Sequence, residues 1–307
     1  MFNIVEKRQW YFLLSALIIL PGLVAMIYSI VTYGSPIKLG IDFTGGALVE
    51  LRFEEPVQPA QVRQVFVEHG FLGTTVQTTV DEQTVLVRTK PTDTETMEGI
   101  LDELRAEYGP VELLRFESVG PAVGAEVTRA AGIAVAVATL FILLYIIFAF
   151  RNVPNAFRYG ACAVAAMIHD ILVTVGLFSI AGLALGWEAD ALFLTALLTV
   201  IGFSVQDTIV VFDRIRENIP RRRGETFETI ANRSLLETLH RSLATQLNAI
   251  FVLVALLLLG GATTKQFVAI LLVGLISGTY SSIFTAVPLL VTWETGEVRG
   301  HPSEATA

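Results

Sequence analysis

Six long apolar runs constrain this chain more than any other feature of its sequence. They cover residues 10–33, 129–151, 157–185, 191–215, 235–260 and 266–293. Each is long enough to cross the hydrocarbon core of a bilayer as a helix, which takes about 20 residues. Only 16% of the chain is charged and its mean hydropathy is +0.63, whereas soluble domains carry about 25% charged residues. We therefore predict an α-helical membrane protein with six transmembrane helices. The first run is too long for a signal-peptide core, which indicates a retained anchor.

Basic residues predict the orientation of these helices. Most of the arginine and lysine outside the segment 34–128 lies in three regions: before the first run, between the second and third, and in or beside the loop between the fourth and fifth. These residues are Lys7, Arg8, Arg151, Arg158, Arg214, Arg216, Arg221, Arg222, Arg223, Arg233 and Arg241. The short loops on the opposite side carry only Glu188, Asp190 and Lys265. Because short cytoplasmic loops are rich in Lys and Arg, we place residues 1–9 and the tail 294–307 in the cytoplasm. The chain is then a multi-pass protein of the cytoplasmic (inner) membrane, with residues 34–128 outside and a five-helix membrane domain over 129–293.

The segment 34–128 predicts a small extracytoplasmic α+β domain. It holds seven Lys/Arg and sixteen Asp/Glu. The expected strands are Ala47–Phe53, Thr74–Thr79, Thr84–Thr89 and Val111–Val119, with a hairpin turn at 80–83 and helices over Pro59–Gly70 and from a Thr92/Glu95 capping box to Gly109. The resulting order β-α-β-β-α-β is typical of a ferredoxin-like fold. Such a fold does not by itself specify a function, and we interpret the domain as a contact surface.

Asp207 is the first candidate for chemistry. It lies sixteen residues beyond Ala191, about 24 Å along a helix, at the end of an uncharged stretch. A carboxylate at that depth is costly and usually functional. Ser204 and Thr208 extend a polar patch around it. Asp213, six residues further on, is followed by Arg214 and has the character of a helix-end carboxylate in water.

Two other spans carry polar candidates. In the fifth, a polar stripe is predicted along one helix face, formed by Thr238, Arg241, Ser242, Thr245, Asn248 and Ala249. Arg241 is either a headgroup anchor or a partner that modulates the proton affinity of Asp207. In the third span, His169 and Asp170 lie near mid-bilayer, and they predict either a proton relay or a polar knot essential for packing.

The sixth span predicts close helix packing, and other sites are missing from the sequence. Gly274, Gly278 and Ser282 recur every four residues, a spacing that lets helices approach each other. The chain contains no H-E-x-x-H, G-x-S-x-G or G-x-x-x-x-G-K-[ST] pattern. Its one cysteine, Cys162, excludes an internal disulfide. We expect no metal, no cofactor and no nucleic-acid partner, and we expect the energy for any work to come from a proton gradient.

Several of these segments together resemble the SecD/SecF protein-export family. The segment Gly40-Ile-Asp42-Phe43-Thr-Gly45-Gly46 is similar to the family's G-[IL]-D-F-x-G-G signature. The resemblance extends through Val119–Gly124, His169-Asp170, Ile201–Asn218, Asn232–Ser242 and Gly278–Ile283, and so covers the chain nearly from end to end. The Gln-Asp-Thr form around Asp207 and the small external domain are similar to the SecF branch of the family.

The resemblance implies a function and partners. A SecF-like chain pairs with SecD in a unit of the resistance-nodulation-division superfamily. That unit joins the SecYEG translocon and uses the proton motive force to promote late steps of export of a preprotein across the lipid bilayer. The resemblance implies proton-transfer roles for Asp207 and Arg241, and it matches Asp213 to another aspartate of the same motif in the proton relay. The resemblance also implies a role in shape change or subunit contact for the loop formed by Gly40, Asp42, Phe43, Gly45 and Gly46. On this interpretation the chain is a transport subunit and not an enzyme.

Three other interpretations fit parts of the pattern. A proton-coupled exporter of small molecules or lipids shares the membrane core, but such proteins usually have large external domains and both halves in one chain. An intramembrane aspartyl protease would use Asp170 and Asp207, yet the residues before Asp207 are Ser-Val-Gln instead of the expected G-x-G. A passive structural subunit would use its polar residues only for packing.

Overall fold

A computed structural model describes residues 3–78, 83–151, 153, 155–222 and 224–296 of the chain. The chain divides into two compact units. One contains the residues up to Lys38 together with those from Ala134 onward, and the other runs from Leu39 to Ile133. The predicted hairpin turn at 80–83 and the tail beyond Gly296 fall largely outside the described residues.

Six helical segments in the described part of the chain are long and apolar enough to cross a membrane. They are Val5–Tyr33, Pro121–Ala149, Ala156–Leu185, Ala191–Arg221, Phe227–Leu259 and Thr264–Thr295. The prediction of six spans is confirmed. Five of these segments contain the helices α1 (Arg8–Tyr33), α5 (Pro121–Ala149), α6 (Ala156–Leu185), α7 (Ala191–Arg221) and α8 (Phe227–Leu259). The sixth consists of α9 (Ala262–Ser281), a five-residue π-helical segment (Ser282–Ala286) and α10 (Val287–Thr295).

Helices α6 and α7 and the sixth segment form the interior of the membrane unit. About half of the apolar part of each is buried, whereas α5 and α8 bury 6% and 11% of theirs. Small residues let α1 and α6 pack closely: a methyl group added at Gly22 on α1 would lie 2.7 Å from the Cα atom of Gly176 on α6. Such a separation is shorter than any ordinary van der Waals contact, so only glycine fits on both sides.

The second unit has the ferredoxin-like fold that the sequence predicts. Its strands β1 (Gly46–Phe53), β2 (Thr75–Thr78), β3 (Thr84–Thr89) and β4 (Val111–Val119) form an antiparallel sheet in the order β2-β3-β1-β4. The helices α2 (Ile41–Thr44), α3 (Pro59–Glu68) and α4 (Thr94–Tyr108) complete it. The core is built by alternate residues of β1, by the apolar stripe of α4 and by α3, as expected where one sheet face packs on helices.

One detail of this unit corrects the sequence analysis. Asp93 caps α4, and its carboxylate accepts a hydrogen bond of 2.7 Å from the backbone N–H of Thr96. The predicted capping box of Thr92 and Glu95 is therefore wrong by one residue, since Asp is an equally good N-cap and directly precedes the helix. The same hydrogen bond lowers the pKa of Asp93.

Candidate functional site: buried carboxylates of the membrane helices

Asp207 is buried in α7 and faces α8. Its side chain is 6% exposed. The side-chain amide of Gln246 donates a 2.6 Å hydrogen bond to its Oδ2 atom. The hydroxyl of Ser242, one turn before Gln246 on α8, also interacts with this carboxylate but does not meet the geometry of a full hydrogen bond. Asp207 is thus a carboxylate in an apolar environment with most of its acceptor capacity unused.

The face of α8 that meets Asp207 differs from the predicted polar stripe. Thr238, Ser242 and Gln246 are buried, one helical turn apart from each other. The Ser242 hydroxyl is buried without a hydrogen-bond partner in the described chain. Arg241 and Thr245 instead point outward. The single stripe is corrected to two, because residues spaced by four stay on one helix face while their neighbours turn away from it.

Arg241 does not reach Asp207 in this structure. Its side chain is exposed, and no carboxylate of the described residues lies within the 4.0 Å of an ion pair. Asn248, two turns further along α8, is exposed as well, as is Gln206 on α7. Polar side chains on the outer surface of two membrane helices are costly next to lipid tails.

Asp170 of α6 is the most heavily hydrogen-bonded side chain in the membrane unit. It is fully buried. Its Oδ1 atom accepts hydrogen bonds from Ser277 at 2.6 Å and from Nδ1 of His169 at 3.0 Å. Its Oδ2 atom accepts from Ser204 and Ser281, both at 2.6 Å. Four donors from α6, α7 and α9 therefore converge on one carboxylate.

His169 supports this cluster from the side. Its ring stacks on Tyr280 of α9, with ring centroids 5.8 Å apart. The tautomer of His169 that carries its proton on Nδ1 donates the hydrogen bond to Oδ1 of Asp170. Nε2 of His169 is buried without a partner in the described chain. It lines an apolar groove of about 350 Å³ with Ile18 and Leu177.

The structure separates Asp213 from the buried carboxylates. Asp213 pairs with Arg216 one turn further along α7, at 2.5 Å, and its side chain is 44% exposed. This is the environment of a surface ion pair. Of the five predicted relay residues, the structure joins only His169 and Asp170 directly, and it places Ser204 between Asp170 and the helix turn that carries Asp207.

Glycines of α9 bring it against α7 at this site. A methyl group at Gly274 would lie 2.9 Å from Cβ of Val200, and closer still to its methyl groups. One at Gly278 would lie 3.3 Å from Cα of Ser204. Ser282 is fully buried at the start of the π-helical segment. The close approach explains how serines of α9 reach Asp170.

The motif loop of the second unit packs on the first turns of α5. Asp42 and Phe43 lie in α2, between Gly40 and Gly45. Gly45 has a φ angle of 73° and Gly46 one of 137°, conformations that favour glycine. A methyl group at Gly124 of α5 would lie 2.7 Å from the backbone nitrogen of Gly45. The two glycines of the motif thus allow a tight turn and close contact between backbones.

Sequence reasoning missed three residues of the site: Gln246, Ser277 and Ser281. A glutamine in an apolar span is itself a signal, since a polar group there needs a partner. Ser277 and Ser281 are four residues apart and so share one face of α9. That face lies next to the predicted glycine face, and the sequence alone did not indicate that Asp170 would meet it.

Two family models match this chain. The first, described as "Protein export membrane protein SecD/SecF, C-terminal", matches residues 100–296. The second, the "SecD/SecF GG Motif", matches residues 30–57. The first match includes His169, Asp170, Asp207 and Asp213 of the membrane unit. The second includes the motif loop.

Curated relatives are similar over nearly their whole length. A "Protein translocase subunit SecF" from Anaerolinea thermophila is 49% identical over 302 residues, covering 97% of this chain and 96% of the relative. Another protein of that name, from Thermobaculum terrenum, is 48% identical over 305 residues, covering 96% of this chain and 94% of the relative.

A solved structure has the same architecture. The crystal structure of SecDF from Thermus thermophilus, described as a translocon-associated membrane protein, matches with a TM-score of 0.80 and 33% identity. The match covers 96% of this chain and 39% of that chain. SecDF in a super-membrane-facing form matches with a TM-score of 0.66 over the same shares of the two chains. The present chain therefore spans about two fifths of these SecDF chains.

Proposed function

We propose a proton-driven role in protein export for this chain, which belongs to the SecD/SecF protein-export family and is similar over nearly its full length to SecF subunits. Paired with SecD, it uses the proton motive force to promote late steps of preprotein export through the SecYEG translocon in the cytoplasmic membrane. Both termini lie in the cytoplasm, and the ferredoxin-like unit lies outside, as the distribution of arginine supports.

The buried carboxylate of Asp207 carries this proposal. It is 6% exposed and has one hydrogen-bond donor in the described chain. A buried carboxylate with few donors changes its protonation when its surroundings change, because each added or lost donor alters the balance between the charged and the neutral form. Moving one charge through a membrane potential supplies about 2.3 kcal/mol per 100 mV, and such a group couples that energy to helix movement.

The outward polar residues of α7 and α8 support a membrane partner. Gln206, Arg241, Thr245 and Asn248 are exposed in this chain alone. Facing lipid they would have no partners, whereas a second helical bundle can satisfy them. We assign this surface to SecD, in agreement with the share of the SecDF chain that the present chain leaves uncovered. Arg241 then acts on Asp207 in a state of the SecD–SecF pair in which α8 has turned.

The other titratable residues have supporting roles in this proposal. Asp213, partly exposed beside Arg216, forms a surface ion pair at the arginine-rich end of α7, and the proposal assigns it no proton-carrying step. His169 and Asp170 remain candidates for the relay, but the four donors on Asp170 favour the packing role. A proton arriving at Asp170 would have to displace one of them.

Replacement of Asp207 by Asn tests the proposal. The substitution keeps the shape of the side chain and removes its titration, so we expect a folded and SecD-bound protein that no longer supports export. The measurement is secretion of a Sec-dependent reporter in cells depleted of their own SecF and supplied with the cognate SecD.

The control is Asp213→Asn at the same membrane level, which should export nearly as the wild type does. Equal secretion with wild type and Asp207→Asn would contradict the proton role of Asp207 while leaving the export role intact. Failure of the wild type itself would contradict the export role.

A further inference from the structure

We infer that Asp170 is a positioning residue: it ties α6, α7 and α9 into one block and thereby fixes where α7 presents Asp207 to α8. The inference rests on the proposed function, since it assigns a second carboxylate a task in the same proton-driven cycle. It distinguishes Asp170 from a proton carrier, although both carboxylates are buried in adjacent helices.

The contacts of Asp170 leave no free acceptor position for a carried proton. Each of its two oxygen atoms already accepts two hydrogen bonds, and three of the four are 2.6 Å long. Hydrogen bonds to a charged acceptor are short and roughly twice as strong as neutral ones. One serine comes from α7 and two come from α9, so the carboxylate joins three helices at a single point.

The backbone contacts reinforce the same block. Val200 and Ser204 of α7 lie directly on Gly274 and Gly278 of α9. A packed core of this density has discrete arrangements and does not deform continuously. Ser204 is three residues before Asp207, so its hydrogen bond to Asp170 fixes the rotation of the α7 turn that carries Asp207.

Asp207, in contrast, faces a helix outside this block. Its one described hydrogen bond is to Gln246 of α8, and α8 buries only 11% of its apolar part within this chain. The titratable side chains around the block are His169 on α6, Asp207 on α7, and Tyr280 on α9. Neither His169 nor Tyr280 donates a hydrogen bond to Asp207 among the contacts of the described residues.

A disulfide can replace the tie that Asp170 makes. The Cβ of Ser204 lies 3.7 Å from the Cβ position of a residue at 278, within the usual 3.5–4.5 Å of a disulfide. The experiment uses the full chain with SecD, in a Cys162→Ala background that is first shown to export normally. Ser204→Cys and Gly278→Cys are introduced together, with and without Asp170→Asn. Export is measured in membrane vesicles after oxidation or reduction, at matched amounts of inserted protein, and cross-linking is followed by protection from a maleimide.

We expect the reduced Ser204→Cys/Gly278→Cys variant to export roughly tenfold less than its Cys162→Ala parent. A tenfold change corresponds to about 1.4 kcal/mol, close to the contribution of one hydrogen bond to a charged group. Oxidation should return export to the parent level, also when Asp170→Asn is present. If Asp170 instead carried protons, the Asp170→Asn variant would stay inactive even when the disulfide is fully formed. That result would overturn the inference. Unchanged export of the reduced variants at matched protein levels would also overturn it.

Asp207→Asn run in parallel keeps this test apart from that of the proposed function. If Asp207→Asn exports normally, the proton role of Asp207 fails whatever the disulfide does. If Asp207→Asn is inactive and the disulfide does not restore export, only the positioning role of Asp170 fails.

Discussion

Asp170 and Asp207 are the same residue type and are both buried in neighbouring helices, yet their surroundings differ in kind. Asp170 accepts four hydrogen bonds and is fully buried. Asp207 accepts one from the described residues and is 6% exposed. A carboxylate surrounded by donors is a structural anchor, whereas a carboxylate with few donors responds to changes around it. Burial alone therefore does not distinguish these two carboxylates, whereas the number of hydrogen-bond donors around each does.

The difference has a simple origin in the helices. Ser277 and Ser281 are one turn apart on α9, and Gly274 and Gly278 let that face approach α7. On the other side of α7, the opposing face of α8 offers one amide and one unpaired hydroxyl, Gln246 and Ser242. The membrane unit is thus densely tied on one side of α7 and loosely tied on the other.

Removing each carboxylate in turn should give the largest difference in stability between the two sites. Asp170→Ala leaves three serine hydroxyls and His169 without their acceptor in the interior, and we expect it to lower the free energy of unfolding by about 3 kcal/mol or more. Asp207→Ala removes one hydrogen bond and should cost about 1 kcal/mol. Thermal unfolding in detergent measures both. Equal losses would show that the two sites are tied equally strongly.

Added bulk on α9 tests the dense side at a smaller scale. Gly274→Ala forces Val200 of α7 to move, since the new methyl group would lie 2.9 Å from its Cβ, and overpacking of this kind costs about 1–3 kcal/mol. Gly202→Ala on α7 is the matched control, because nothing lies within 4 Å of the added methyl group there. The control should be neutral or slightly stabilising, as Ala is the better helix former. If both variants had a lower unfolding temperature, the cause would be a general effect of replacing a helix glycine, and not the contact between Gly274 and Val200.

Much of this architecture could be predicted from the sequence, and the limits are physical. The six spans follow from long apolar runs, and the ferredoxin-like order follows from period-two strands and the apolar stripe of α4. The burial of Asp207 follows from its position in an apolar helix. Which donors meet which carboxylate depends on helix rotation and on contacts between spans far apart in sequence, such as Asp170 with Ser277. For that reason Gln246 was missed, and Arg241 and Asp207 were considered as partners although this structure keeps them apart.

A third aspartate, Asp213 on α7, completes the comparison with the smallest expected effect. Asp213 is 44% exposed and pairs with Arg216 one turn away. Such exposed pairs are worth about 0–1 kcal/mol, because water and salt screen them and two side chains lose freedom. Asp213→Asn should therefore change the unfolding temperature in detergent by less than either Asp170→Ala or Asp207→Ala, and the small change should shrink further in high salt. A loss as large as that of Asp207→Ala, unaffected by salt, would contradict the surface ion pair and show that buried contacts hold Asp213.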